Sequence, residues 1–329
     1  MNSMAQQGTG GDSLRRAALS LLSPPGRRAR LQVLTYHRVL EQRDPLVPDE
    51  PDAAAFRAQM TALARLCSVL PLPEAAERLA AGTLPARAAC VTFDDGYANN
   101  HQVAAPILEK LGLPATFFIA GGAVDRGIMW NDLVIEATRR TPAALDCAPI
   151  GGDAVPLPDG AARAAAVPRI LDSMKYRPLD ERWEAAVALY ERNVEGPPPR
   201  LMMTRGQVRD LARRGFDVGG HTVSHPILAT LPPAEARQEI VGCWEWVRDV
   251  TGVAPRSFAY PNGRPGRDFG PEHAAMAREA GFEVAVTTLW ASARRSDDPL
   301  QLPRYTPWET DPTGLWARLV KTTVRSYAG

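Results

Sequence analysis

Between Leu31 and Thr288 the chain alternates short apolar runs with stretches whose apolar residues recur at helical spacing. "LQVLTYHRVL" (31–40) predicts a first strand ending at His37, and "AFRAQMTALARLC" (55–67) and "PEAAERLAAG" (73–82) predict two helices, the second with a glycine stop. "CVTF" (90–93) reads as a strand that Gly96 brings to an end. A helix follows around "HQVAAPILEKLG" (101–112), then a strand in "PATFFIA" (114–120). Beyond residue 203 the pattern resumes. Helix 204–215 has Thr204 as its cap and leads to strand "FDVGG" (216–220), and the long helix 233–252 leads to strand "SFAYP" (257–261). Helix 271–280 and strand "FEVAVTT" (282–288) complete the series. Strand and helix alternating in this way make a parallel sheet with helices outside, and about seven units suggest closure into a barrel.

Residues 130–203 break the rhythm with two or three helical patterns separated by "GGDAVPLPDG" and "EGPPPR", and are expected as an insertion on one loop. Residues 1–30 are expected as a basic N-terminal tail, 31–310 as the barrel, and 311–329 as a C-terminal helix or tail. In the tail, "SLRRAALSLLSPPGRRARLQ" sets Arg15 and Arg16 before a short apolar patch and Arg27, Arg28 and Arg30 after it. That patch is too short and too closely followed by arginines for a signal peptide, and no apolar run approaches a membrane span. The expected state is a disordered or loosely docked segment, with a short basic helix touching a membrane surface as the second reading. The chain is accordingly expected to be cytoplasmic or peripheral to the inner face of the membrane.

Composition narrows the picture. A formal net charge of +1 gives no general attraction to nucleic acid, and 45% hydrophobic residues suffice for a large core. The four cysteines, Cys67, Cys90, Cys147 and Cys243, show no CxxC spacing and read as reduced core residues.

In such a barrel the loops after the strands gather on one face, where chemistry sits. His37 follows the first strand, Asp94 and Asp95 a later one, and His221 and His225 follow "FDVGG". Two adjacent carboxylates at a buried strand end repel each other, and a divalent cation offsets that repulsion. The i, i+4 histidines of "GGHTVSHP" (219–226) fit one tight turn, with Pro226 disfavouring further helix. Two imidazoles and one carboxylate make a three-ligand open site of the catalytic zinc kind, with the other aspartate left to take a proton from water.

"VTFDDGY", "HTVSH" and "RSFAYPNG" resemble the first three motifs of the NodB-type polysaccharide deacetylases, carbohydrate esterase family 4, and "VLTYHRVL" resembles the branch acting on bacterial exopolysaccharides. The similarity runs from about residue 31 to 307. It implies a distorted (β/α) barrel that hydrolyses N-acetyl groups from a hexosamine polymer, with Asp94 as base and Asp95, His221 and His225 holding the metal, usually zinc. Arg256 is then expected behind Asp94, lowering its pKa. The Tyr97 backbone N–H is expected to assist the oxyanion, and Tyr260 and Pro261 to line the pocket. Trp130 is expected either to stack on a sugar, with Asp132 binding hydroxyls, or to be an ordinary packing tryptophan.

The sequence departs from the family at the acid: "QLPRY" has Arg304 where a late histidine is the rule, and arginine cannot release a proton near neutrality. Arg304 is therefore expected to bind substrate. Of five histidines, His101 begins a helix and His273 lies in a late helix, expected exposed, which leaves His37 as the candidate general acid. Two other readings use the same residues: a metal amidase acting on a small non-sugar substrate, and a silent carbohydrate-binding module. The second has no need of a base beside a metal.

Overall fold

The computed structural model describes residues 10–309 and 311–325. In chain order the elements begin with α1 (Gly10–Leu22), β1 (Leu31–Tyr36), α2 (Ala53–Leu66), β2 (Ser68–Val69), α3 (Leu72–Ala81), β3 (Ala88–Phe93), α4 (Ala105–Leu111) and β4 (Thr116–Ile119). Next come α5 (Gly121–Arg126), α6 (Trp130–Arg140), the small strands β5 (Ala144–Leu145) and β6 (Val155–Pro156), α7 (Gly160–Met174) and α8 (Leu179–Asn193). The chain finishes with α9 (Arg205–Arg213), β7 (Asp217–Gly220), α10 (Pro233–Thr251), β8 (Ser257–Ala259), α11 (Pro271–Ala280), β9 (Val284–Val286) and α12 (Pro312–Val324).

The main sheet has seven parallel strands in the order β1-β3-β4-β7-β8-β9, with β2 paired to the lower half of β3. The ring is closed by the segment 302–305. Leu302 bridges Val286 of β9, and Tyr305 bridges Leu34 of β1. Two isolated bridges replace a full strand there, which is the distortion in the barrel.

Both faces of the sheet are buried, which explains why its strands read as nearly continuous apolar runs. Leu31 and Val33 of β1 meet Cys90, Phe118, Val284, Val286 and Leu302 in the barrel interior, together with Leu72, Ala75 and Leu79 of α3. The alternate residues Leu34 and Tyr36 point outward onto Phe56, Met60 and Leu63 of α2.

The insertion is three helices and a two-stranded ribbon with a core of their own. Leu133, Val134 and Ala137 of α6 pack on Ile170 and Met174 of α7 and on Ala186, Leu189 and Tyr190 of α8. The segment expected as a loosely docked tail carries α1, which packs on α12 and α2 with Leu19 buried. Arg15 Nη2 donates to Thr313 Oγ1 (2.8 Å), and Trp316 Nε1 donates to the Arg15 carbonyl. Leu14 and Leu21 stay on the outside. Among the described residues no helix is long and apolar enough to cross a membrane. All four cysteines are free, and Cys90, Cys147 and Cys243 are buried.

Candidate active site

β3 ends at Phe93, and the Asp94 N–H still donates to the Tyr36 carbonyl of β1 (2.9 Å). Asp95 then takes a left-handed backbone (φ 74°), followed by Gly96 (φ 92°), whose N–H turns back to the Asp94 carbonyl (2.9 Å). Aspartate tolerates this region better than most side chains, and the sharp turn lets both carboxylates face the strand-end pocket instead of opposite sides of the sheet. Non-glycine residues held this way concentrate at functional sites.

The histidines sit on the loop after β7. Gly219 and Gly220 are obligatory in that strand for lack of space: a Cβ on Gly219 would lie 2.5 Å from the Ser257 carbonyl oxygen, and one on Gly220 2.7 Å from Cys243 Sγ. The i, i+4 spacing does not form a helical turn. Thr222 (φ 63°) and His225 (φ 59°) are both left-handed, and the His225 N–H donates to Thr222 Oγ1 (3.1 Å). Glu239 of α10 ties the loop down by accepting the Val223 and Ser224 amides at 2.8 Å each and the Ser224 hydroxyl at 2.6 Å. The rings of His221 and His225 finish 4.8 Å apart.

His221 Nδ1 is 2.7 Å from the Ala259 carbonyl, so it carries the proton and leaves Nε2 with a free lone pair. That Nε2 and His225 Nε2 each lie 3.4 Å from Asp95 Oδ1, which is buried without a hydrogen-bond donor. The three ligand atoms fall within 4.8 Å of one another. Burial pulls the His225 pKa down to about 4, so its imidazole is neutral at physiological pH. Burial pushes the other way on Asp95, but the surrounding imidazoles of His221, His225 and His37 outweigh it and hold the carboxyl well below the usual range. Two imidazoles, that of His225 held neutral, and one committed anion, with an orphaned oxygen between them, are a donor set that fits a divalent ion.

Asp94 has a different partner. Arg304, on the segment that closes the barrel, grips it with Nη1 to Oδ1 (2.7 Å) and Nη2 to Oδ2 (2.6 Å). The guanidinium is itself fixed by Nε to the Thr287 carbonyl (3.0 Å), and both residues are buried. Burial alone would raise the Asp94 pKa, but the charge and hydrogen bonds of Arg304 reverse the shift, so Asp94 is held ionised below its ordinary value. Each oxygen gives one lone pair to the fork and keeps another.

Arg304 thus occupies the place expected for Arg256. Arg256 precedes β8 and so lies at the opposite end of the strands, where it pairs with Glu77 and Glu283 on the surface. Arg256→Ala is expected to leave turnover within about twofold and stability within about 1 kcal/mol, the usual scale for exposed ion pairs, as steady-state rates and a urea melt would show.

His37 directly follows β1 and is half-buried, with its carbonyl accepting from Asn100 Nδ2 (2.8 Å). Burial lowers its basicity, but Asp95, Glu50 and Asp94 together raise its pKa above the ordinary value. Trp130 lines a cavity of about 280 Å³ together with Asp95, His225, Asn131 and Asn262.

Other expected lining residues lie elsewhere. Tyr260 is wholly buried, stacked at 3.8 Å on Phe269 and donating its hydroxyl to the Leu300 carbonyl, because its side chain falls on the α11 side of the sheet. Pro261 is buried, and it is absent from the lining of this cavity. The Tyr97 side chain supports the site from below, its hydroxyl donating to Asp132 Oδ1 (3.3 Å) under the Arg38 guanidinium. Asp132 is buried, which raises its pKa to about 7, and its carboxyl serves Tyr97 and the Met129 amide instead of standing in the cavity. His273 is buried too, its Nδ1 accepting the Gly270 N–H at the start of α11. A larger depression of about 820 Å³ lies among Arg27, Arg28 and Arg295 before the strands begin, far from the convergent acids and imidazoles.

Comparison with known proteins agrees with this geometry. The polysaccharide deacetylase family model matches residues 81–147 and 153–285. The protein YxkH of Bacillus subtilis (strain 168), named as a polysaccharide deacetylase, is 21% identical over 278 residues, 84% of this chain and 71% of its own length. The deacetylase PplD of Streptococcus pyogenes, solved in complex with acetate, superposes with a TM-score of 0.60 at 17% identity, covering 90% of this chain and 99% of PplD. IcaB from Ammonifex degensii gives a TM-score of 0.57 at 21% identity, covering 90% and 98%. A parallel barrel closed by short bridges, with aspartates and histidines meeting at its strand ends and a family match over most of the barrel, leads to one assignment: the chain belongs to the polysaccharide deacetylase family, hydrolases of N-acetyl amide bonds.

Proposed function

We propose that the protein is a metal-dependent N-deacetylase acting on an N-acetylhexosamine-containing polysaccharide or its precursor. The observation that carries this reading is the division of labour between adjacent aspartates: Asp94 is locked to Arg304, while Asp95 faces His221 and His225. A binding module has no use for a buried, cation-held carboxylate beside a metal-type donor set.

Asp95, His221 and His225 would hold the ion, with zinc favoured by the two imidazoles and one carboxylate. When bound, such an ion acidifies water and polarises a carbonyl oxygen. Asp94, ionised and oriented by Arg304, accepts the proton of the attacking water through its free lone pairs. His37, on the neighbouring strand end and in the field of Asp95, Glu50 and Asp94, delivers a proton to the departing amine. The Tyr97 backbone N–H supports the developing oxyanion. Trp130 in the cavity wall offers a sugar ring an apolar face.

The test combines metal analysis with acetate release from N-acetylglucosamine oligomers and from a panel of small amides. Asp95→Ala, His221→Ala and His225→Ala are each expected to lower metal content, because each removes one of only three protein ligands. Full metal occupancy in all three variants, or acetate release confined to small amides, would refute the proposal.

A further inference from the structure

Two arginines are buried among the described residues, Arg304 and Arg182. Arg304 has Asp94. Arg182, in the first turn of α8 and 5% exposed, has no carboxylate: its Nη1 donates to the Lys175 carbonyl (2.9 Å), and its guanidinium lies 4.8 Å from the Trp130 ring centre. Burial lowers its pKa with no acidic group to offset the shift. An unpaired buried cation is destabilising and normally finds an anion.

Its location suggests where that anion comes from. Arg182 lines the same cavity as Asp95 and His225, with Lys175 as a second cation on the wall. The carboxylates on that wall are Asp95, engaged with its imidazoles, and Asp172, exposed at the rim; Arg182 forms an ion pair with neither. The guanidinium is held over the Trp130 ring, and only Nη1 is committed to a protein acceptor. A planar fork so held matches a carboxylate or phosphate, whereas a neutral hydroxyl would satisfy a hydrogen bond but leave the charge unbalanced.

Resting on the deacetylase reading above, we infer that the substrate is an acidic glycan, carrying a carboxylate or phosphate within about one sugar of the acetamido group to be hydrolysed, and that Arg182, assisted by Lys175, receives that anion. The helical insertion, which supplies both cations, is then the element that selects the polymer.

The experiment compares kcat/KM of the zinc-loaded full chain on three oligomers of equal length: N-acetylglucosamine alone, N-acetylglucosamine alternating with glucuronate, and N-acetylglucosamine 6-phosphate. The wild type is expected to favour one charged oligomer over the neutral one by about tenfold or more, the two charged arms deciding between carboxylate and phosphate. In Arg182→Met the preference should collapse toward unity, while Arg182→Lys should keep part of it. Equal kcat/KM on all three oligomers in the wild type, a result that needs no variant, overturns the inference. So does a preference that survives Arg182→Met with an unchanged thermal melt. Calorimetric binding of the glucuronate oligomer separates the two readings. Arg182-dependent binding without acetate release would sink the deacetylase assignment and keep the anion site, whereas release without charge preference would do the reverse.

Discussion

Replacing Arg304 with methionine is expected to destabilise the fold by about 3–5 kcal/mol and to lower turnover by on the order of 10²-fold or more, because it strands Asp94 as a buried carboxylate without its cation. The stability loss should depend on pH in a definite sense. In the wild type the Asp94 pKa lies below its unfolded value of about 3.9, so its ionisation stabilises the fold above that pH and ceases to do so as pH falls through the folded pKa. Without Arg304, burial becomes the dominant influence and raises the pKa. The variant should therefore be most destabilised near neutrality and least in acid, and the acid limb of its pH–rate profile should move upward. Asp94→Asn removes the base and leaves the buried Arg304 guanidinium as the unpaired charge, so it should also destabilise the fold and lose turnover to a similar degree, while retaining metal. Urea melts between pH 4 and 8, with metal analysis, separate these outcomes. A pH-independent stability loss in Arg304→Met would mean that Asp94 is not the stranded charge, and loss of metal in Asp94→Asn with its retention in Asp95→Asn would show that the two aspartates have the opposite roles.

Arg304 also shows which parts of the molecule were legible in the sequence. The barrel was, because alternation of strand and helix over 31–288 is a periodic signal and strand ends converge by topology. Asp94, Asp95, His37, His221 and His225 follow from that convergence. The choice between Arg256 and Arg304 turned on something weaker. Arg256 precedes β8, so it had to emerge at the end of the barrel away from the loops, where Glu77 and Glu283 meet it. Arg304 lies in "QLPRY", a proline-interrupted segment with two isolated bridges and no period, so nothing local marked it as the closure of the ring.

The histidine loop was misread for a related reason. A four-residue spacing suggests one helical turn, but Thr222 and His225 are left-handed, and the tie that permits it comes from Glu239, fourteen residues beyond His225 in the chain numbering (239 − 225). Tyr260 failed because a motif position names a residue and not the face of the strand it occupies. The side chain turned toward Phe269 and away from the cavity. Asp132 likewise needed Tyr97 and Arg38, both distant in sequence, to explain its burial.

His37→Ala is expected to separate protonation of the leaving group from everything else the site does. His37 is not among the three residues that could hold the ion, so metal content should be unchanged. Turnover of an N-acetyl amide should fall by roughly 10²–10⁴-fold, the range for a lost proton donor. An aryl acetate leaves as a stable phenolate and needs no proton, so its hydrolysis should fall far less. The carboxylates of Asp95, Glu50 and Asp94 outweigh burial in raising the His37 pKa, which keeps the imidazole protonated to higher pH than an ordinary histidine. Amide turnover in the wild type should accordingly decline on the alkaline side as that proton is lost, and this limb should disappear or move in His37→Ala. Glu50 accepts the Arg38 N–H (3.0 Å) and lies outside the metal-type donor set, which makes Glu50→Gln a useful companion variant. Removing one of the charges that raise the His37 pKa should draw the alkaline limb toward lower pH without abolishing turnover. Equal losses on amide and aryl ester in His37→Ala would mean that His37 holds the strand end in shape and that the proton arrives from another group.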